Sequence, residues 1–358
     1  MKLLVPALLL LAGALSAAAF TSLHVFGDSV SSLTNGPGTT NYHGGRYCNG
    51  RIWTEVLAQR QGLAVATNRT VAFFGHYSNL LVTNAASYPA PADAASALFI
   101  VWVNNADFVG MTFDNSPPYT SNAATLTFWT NRMNQSLANH SNIIQTLYQK
   151  GARTLLMPNV ADIGFTPYFN GTAPASRAFL RQRILEYNTA FAALLQQRQA
   201  ALPGLVIRSP DIFTLLDRMV TNAAAYGLTN ALFNGVMIDA LSDPALANKS
   251  LNGPGTNHLF WDYLNPGAKA SAVIADVAHQ SLTPTRLVSV SPQGATLQLA
   301  AENLPTGLSG FVESSTNFTH WTPGPAFLPT NGTQSVSVTP DGPRAFYRLR
   351  FPFAWSWP

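Results

Sequence analysis

Residues 97–103 read ALFIVWV, seven positions without a polar side chain. A strand with one wet face alternates polar and apolar residues, so an unbroken apolar run of strand length predicts a strand buried on both faces. Such a strand needs a layer of structure on each side, and the flanking sequence offers the parts. Further strands are expected at 23–26, 152–158 and 205–208. Helical stretches are expected at 123–150, where Gly151 is placed to end the helix, at 174–201 and at 212–225. Within 174–201, Ile184, Tyr187, Phe191, Leu194 and Leu195 recur at helical spacing. Strands alternating with helices imply a parallel sheet with helices on both faces, an α/β fold.

The pattern changes near residue 283. Short alternating segments at 286–290, 296–299, 310–313 and 335–338 are separated by Pro292-Gln293-Gly294, Asn331-Gly332 and Pro340-Asp341-Gly342. No helix-length period occurs among them, which predicts a small all-β domain of about 75 residues. At the other end, Lys2 precedes an apolar run from Leu3 to Leu15 and the small residues Ala17-Ala18-Ala19. This is the pattern of a secretory signal peptide. The run is too short to cross a bilayer, which takes about 20 apolar residues. The expected division is a signal peptide at 1–19, an α/β domain at 20–282 and a β domain at 283–358. The mature chain is expected to be secreted, periplasmic or at the cell surface, with no integral membrane segment.

Cys48 is the one cysteine, so no intrachain disulfide can form and burial alone must hold the core. Charged residues make up 10% of the chain and the net charge is +4, with the basic residues scattered. That excludes the clustered Lys/Arg stripe of a nucleic-acid binder. No group of His, Asp and Glu has metal-ligand spacing, and no cofactor is implied.

The first strand runs into VFGDSVSSL, residues 25–33. Two readings of Asp28 and Ser29 stand side by side: a helix cap after a strand, or a nucleophilic serine at a strand tip. Downstream come GGRYCNGRIWTEVLA at 44–58, VWVNNADF at 101–108, YGLTNALF at 226–233 and FWDYLNPGAKA at 260–270. In this order the chain resembles the GDSL, or SGNH, hydrolase family of esterases and lipases, from about Leu23 to Val277. The resemblance implies a flavodoxin-like three-layer α/β/α sandwich. It implies Ser29 as nucleophile, with an oxyanion hole made by the backbone N–H of Ser29, the N–H of Gly50 and an asparagine side chain. Such donors face the oxygen that becomes negative during acyl transfer, and each is worth about 3 kcal/mol. Gly50 equally suits a turn before a helix at 52–60.

Two positions depart from the family pattern. Its third block is Trp-x-Gly-x-Asn-Asp, which from Trp102 places Asn104 at the glycine, Ala106 at the asparagine and Asp107 at the aspartate. Asn104 or Asn105 is then the candidate amide donor; in an extended chain Asn104 would share the face of residue 106. The family closes with Asp-x-x-His-Pro, and this chain reads Asp262-Tyr263-Leu264-Asn265-Pro266. An asparagine amide cannot take the serine proton, and serine without a base is a poor nucleophile. His258 is the leading substitute, oriented by Asp262; His43 and His76 lie in segments that the family brings near the serine. His24 suits a core position, and His140, His279 and His320 are expected in solvent. Phe260 and Trp261 are expected to pack, and Arg46 and Arg51 are either structural or binders of an anionic group.

The tail, with its Ser-Ser-Thr-Asn turn, Trp321 and a Phe-Tyr-Arg-Leu strand, resembles the small β-sandwich repeat appended to many secreted bacterial proteins. Two functions follow from the whole reading. The first is a secreted serine hydrolase of acyl or acetyl esters, on a lipid or an acylated carbohydrate. The second is a binding protein that keeps the fold without its chemistry, motivated by Ala106 and Asn265 together.

Overall fold

The computed structural model describes residues 20–340, 342 and 345–351. The expected signal peptide and Asp341 of the expected turn lie outside the described residues. Five parallel strands form the central sheet: β1 (Leu23–Gly27), β2 (Thr70–Ala72), β3 (Leu98–Trp102), β4 (Thr154–Leu156) and β5 (Val206–Arg208), in the order β2-β1-β3-β4-β5. This is the flavodoxin-like order of a doubly wound sheet. The helices are α1 (Trp53–Arg60), α2 (Ser78–Ser87), α3 (Asn104–Asp114), α4 (Ala123–Gln149), a single turn α5 (Pro167–Asn170), α6 (Pro174–Ala201), α7 (Ile212–Thr221) and α8 (Ala268–Leu282).

The apolar run at 97–103 is the reason for three layers. Every residue of β3 is buried. Phe99 and Val101 join a core built with α4 and α6, including Trp129, Ile143, Ile184 and Phe191. Leu98, Ile100 and Trp102 join the opposite core with α1, α7 and α8, including Trp53, Leu57, Leu216 and Val273. The period of two along the strand thus feeds both cores. Local signals fix the helix ends. Asn122 caps α4 by accepting from the Thr125 N–H, Asp211 caps α7 by accepting from the Thr214 N–H, and Gly151 follows α4 with φ of 99°.

A two-residue hairpin, β6 (Leu232–Phe233) with β7 (Val236–Met237), decorates the loop before α8. The C-terminal part is two three-stranded antiparallel sheets. One has the order β12-β9-β8, from β8 (Arg286–Gln293), β9 (Thr296–Glu302) and β12 (Thr333–Val338). The other has the order β11-β10-β13, from β10 (Gly310–Ser315), β11 (Thr322–Phe327) and β13 (Phe346–Arg350). Contacts tie it to the α/β part: Arg60, held by Asp276 of α8 at 2.7 Å, donates from Nη1 to the Thr306 carbonyl at 3.0 Å. His279 Nε2 lies 3.2 Å from the Asn303 carbonyl. Among the described residues no helix is long and apolar enough to cross a membrane.

Three sequence expectations are corrected. The chain at Asn104 is not extended but begins α3, because Asp107 is drawn in to accept from the Ser78 N–H and the Ser136 hydroxyl. His140 and His279 are buried rather than solvated. Helix faces that look polar in sequence are covered here, His140 by the Ser136–Asp107–Tyr187 network and His279 by the β domain. Burial holds the His279 pKa at about 4. His24 is in the core as expected, stacked on Phe99 and bonded to the Tyr88 hydroxyl at 2.8 Å.

Candidate active site

From β1 the chain goes on to β2 on one side of the sheet, and from β3 to β4 on the other. A crevice opens between the C-terminal ends of β1 and β3, the usual ligand position in such a sheet. Gly27 ends β1 there. A Cβ on it would stand 3.0 Å from the Trp102 carbonyl oxygen and 3.0 Å from Ser31 Cβ, so the turn out of the sheet is made tightly against β3, and a side chain there would press on both neighbours. Asp28 then caps a single 3-10 turn, Ser29–Ser31, by accepting from the Val30 N–H at 3.0 Å. The cap is the feature seen here, made by Asp28, and Ser29 turns its hydroxyl into the crevice.

Ser29 Oγ donates to Asn265 Oδ1 at 2.8 Å. Asn265 Nδ2 in turn donates to both oxygens of Asp262, at 2.9 and 3.1 Å. The backbone N–H groups of Leu264 and Asn265 reach Asp262 Oδ1, and the Tyr42 hydroxyl donates to Oδ2 at 3.1 Å. The result is a relay of serine, amide and carboxylate, all three buried. Burial pushes the Asp262 pKa up, against the four donors that favour its charge. Asp28, also buried, is pushed up to about 7 by loss of water; the Val30 and Ala106 N–H groups oppose that shift and the Asp107 charge adds to it.

His258 is not part of this relay. Its Nε2 is paired with Asp243 Oδ2 at 2.9 Å, and its buried Nδ1 has no hydrogen-bond partner. The backbone at 258 is extended, so Leu259, which lines the crevice, and His258 point to opposite sides. The expected His258–Asp262 pair is therefore replaced by His258–Asp243 and Asn265–Asp262. His76 is close, yet its Nδ1 donates to the Gly27 carbonyl at 3.0 Å and its Nε2 faces Asn84 Nδ2 at 2.8 Å. His43 is partly buried, and burial with the nearby Arg46 lowers its pKa.

The two candidate amides separate. Asn104 points into the protein, donating to the Pro158 carbonyl at 3.0 Å, with its Oδ1 buried and unpartnered. Asn105 lines the crevice, and its Oδ1 accepts from the Ala161 N–H at 3.0 Å, which turns its NH2 group the other way. Gly50 is buried in the loop before α1 and does not line the crevice; its N–H faces the Cys48 sulfur, whose pKa burial raises to about 12. Arg46 is paired with Glu55 and Arg51 with Gln59, both within the α1 region. Phe260 and Trp261 are buried, as expected of packing residues, though Phe260 also touches the crevice. Sequence reasoning missed Tyr42 as a partner of Asp262 and Asp243 as a partner of His258; both lie in loops whose approach no local pattern announces.

Beyond Ser29 the crevice deepens into a cavity of about 120 Å³ with a predominantly apolar wall. Its inner end is buried, at Trp102, Met219 and Ile274, while Phe74 and Phe113 are about half exposed, at 48% and 53%.

Residues 23–278 match the family described as GDSL-like Lipase/Acylhydrolase. Curated relatives include three GDSL esterase/lipases of Arabidopsis thaliana. One is 28% identical over 137 residues, 36% of this chain and 35% of that protein. A second is 31% identical over 161 residues, 41% of this chain and 43% of the other. A third is 21% identical over 327 residues, 71% of this chain and 87% of the other. The chain thus spans less than half the length of the first two.

Proposed function

This chain belongs to the GDSL-like lipase/acylhydrolase family, whose members are generally serine hydrolases, and on that premise we propose that it is an exported protein that binds acyl esters without turning them over at family-like rates. The observation that carries this is the hydrogen bond from Ser29 to the Asn265 amide oxygen. An amide oxygen accepts a hydrogen bond but is far too weak a base to take the serine proton. Asp262 cannot help through it, because its part in a triad is to orient an imidazole and stabilise the imidazolium that forms, and a carboxamide forms no such cation at neutral pH. Removing the base from a serine triad costs on the order of 10⁶ in turnover. The donors for an ester carbonyl are the Ser29 N–H and the Asn105 NH2 group.

The competing reading, a working ester hydrolase with Ser29 as nucleophile, needs a base at the serine. None of the seven histidines lines the crevice. The Ser29 position, the apolar cavity and the family point in both readings to an ester, whether of a lipid or of an acylated carbohydrate. A fluorophosphonate probe separates them. The binding reading expects no labelling under conditions that saturate an active serine hydrolase, together with reversible binding of an apolar ester by calorimetry. Labelling of the natural protein that Ser29→Ala abolishes would establish an activated serine and overturn it.

A further inference from the structure

The cavity behind Ser29 has a shape and a wall that constrain the ligand further than the word ester does. One face of α3 runs along it: Asn105, Ala106, Val109 and Phe113 follow one another from the serine to the half-exposed mouth. The inner end is closed by Met219 and Ile274, which are 1% and 4% exposed and belong to the core beneath the sheet. Polar groups are gathered at the Ser29 end, where Asp28, Ser29, Asn105 and Asn265 meet. A ligand that fits has a polar carbonyl at Ser29 and an apolar chain running inward.

We infer that the cavity is an acyl-chain site for a group of about four to six carbons, since an apolar protein cavity of about 150 Å³ takes one benzene molecule, and that Ala106 sets its width beside Ser29. The inference rests on the reading of the crevice as an ester site. An acetyl group would leave most of the 120 Å³ unfilled. A long lipid chain would meet the Met219–Ile274 end and have to fold back out. Ala106 stands in the helix turn next to Asn105, with its N–H engaged by Asp28 and only a methyl group toward the cavity. Any larger side chain there would occupy acyl space.

Calorimetry of the full chain with ethyl esters from acetate to dodecanoate tests this. Affinity should rise about fourfold per added methylene, as expected for burial of each group, then stop rising near hexanoate. Ala106→Leu should move the stopping point to a shorter chain. The series on the natural chain needs no variant, so a poorly folded Ala106→Leu protein leaves the test intact. Affinity independent of chain length, or rising steadily to dodecanoate, would overturn the inference. Rapid turnover of these esters would sink the binding reading alone, because the same chain-length limit would then be read in KM.

Discussion

Asp28 carries the strongest stability prediction. Its carboxyl group is buried beside Ser29, and burial raises its pKa from the ordinary value of 3.8 to about 7. A carboxyl whose folded pKa is raised contributes stability that is fully present below pH 3.8 and is lost as pH rises through about 7. Keeping the proton on across that interval is worth roughly 4 kcal/mol. Asp28→Asn keeps an oxygen to accept the Val30 N–H but carries no charge at any pH. The variant should therefore lie close to the natural chain in stability at pH 4 and exceed it by about 4 kcal/mol at pH 8. Urea unfolding at both pH values measures the difference, and subtraction removes the groups common to both proteins. Among those are His24 and His279, whose pKa values burial lowers to about 4. These make stability rise with pH between about 4 and 6.5, the opposite sense. A difference between variant and natural chain that does not change with pH would mean that Asp28 is not held protonated by burial.

Two further predictions concern Arg60, which is paired within the α/β part and reaches the β part through Thr306. Asp276→Ala leaves the Arg60 guanidinium buried without its carboxylate, and should cost about 3–5 kcal/mol in unfolding free energy; a loss under about 1 kcal/mol would mean that water already reaches the pair. Truncation after Pro284 exposes Arg60 and His279 where they meet Thr306 and Asn303. At about 1 kcal/mol per lost hydrogen bond, the shortened chain should still unfold cooperatively, with a Tm lower by roughly 4–8 °C. An insoluble or non-cooperative product in calorimetry would contradict the proposed boundary near residue 282.

The layered fold was legible because two periods in the sequence are strong. The apolar run at β3 and the helical spacing in α6 each match the element found there. The weaker elements escaped for local reasons. β2 has only three residues, and α3 starts after Val103 with no side-chain cap to mark it. Reading Asn104 as extended followed directly from that missing signal. Within the site, Ser29, Asn265 and Asp262 could be picked out from motif order alone, and the structure brings them together. The partner of His258 could not, because Asp243 lies fifteen residues away in an irregular loop, and spacing in a loop does not determine which side chains meet. The choice between Asn104 and Asn105 also needed the structure, since it depends on which residue faces the crevice at the first turn of α3.

Ser29 faces an amide oxygen where a serine hydrolase places its base. Asn265 already spans the gap from Ser29 at 2.8 Å to Asp262 at 2.9 Å, and its backbone N–H is held by the same carboxylate. A histidine at that position would present one ring nitrogen to each partner. The most direct measurement is the turnover of p-nitrophenyl butyrate by the natural chain and by Asn265→His. The natural chain should be barely above background, and Asn265→His should raise turnover by several orders of magnitude, an increase that Ser29→Ala removes. A natural chain that already hydrolyses the ester rapidly, with Asn265→His adding nothing, would contradict the binding reading.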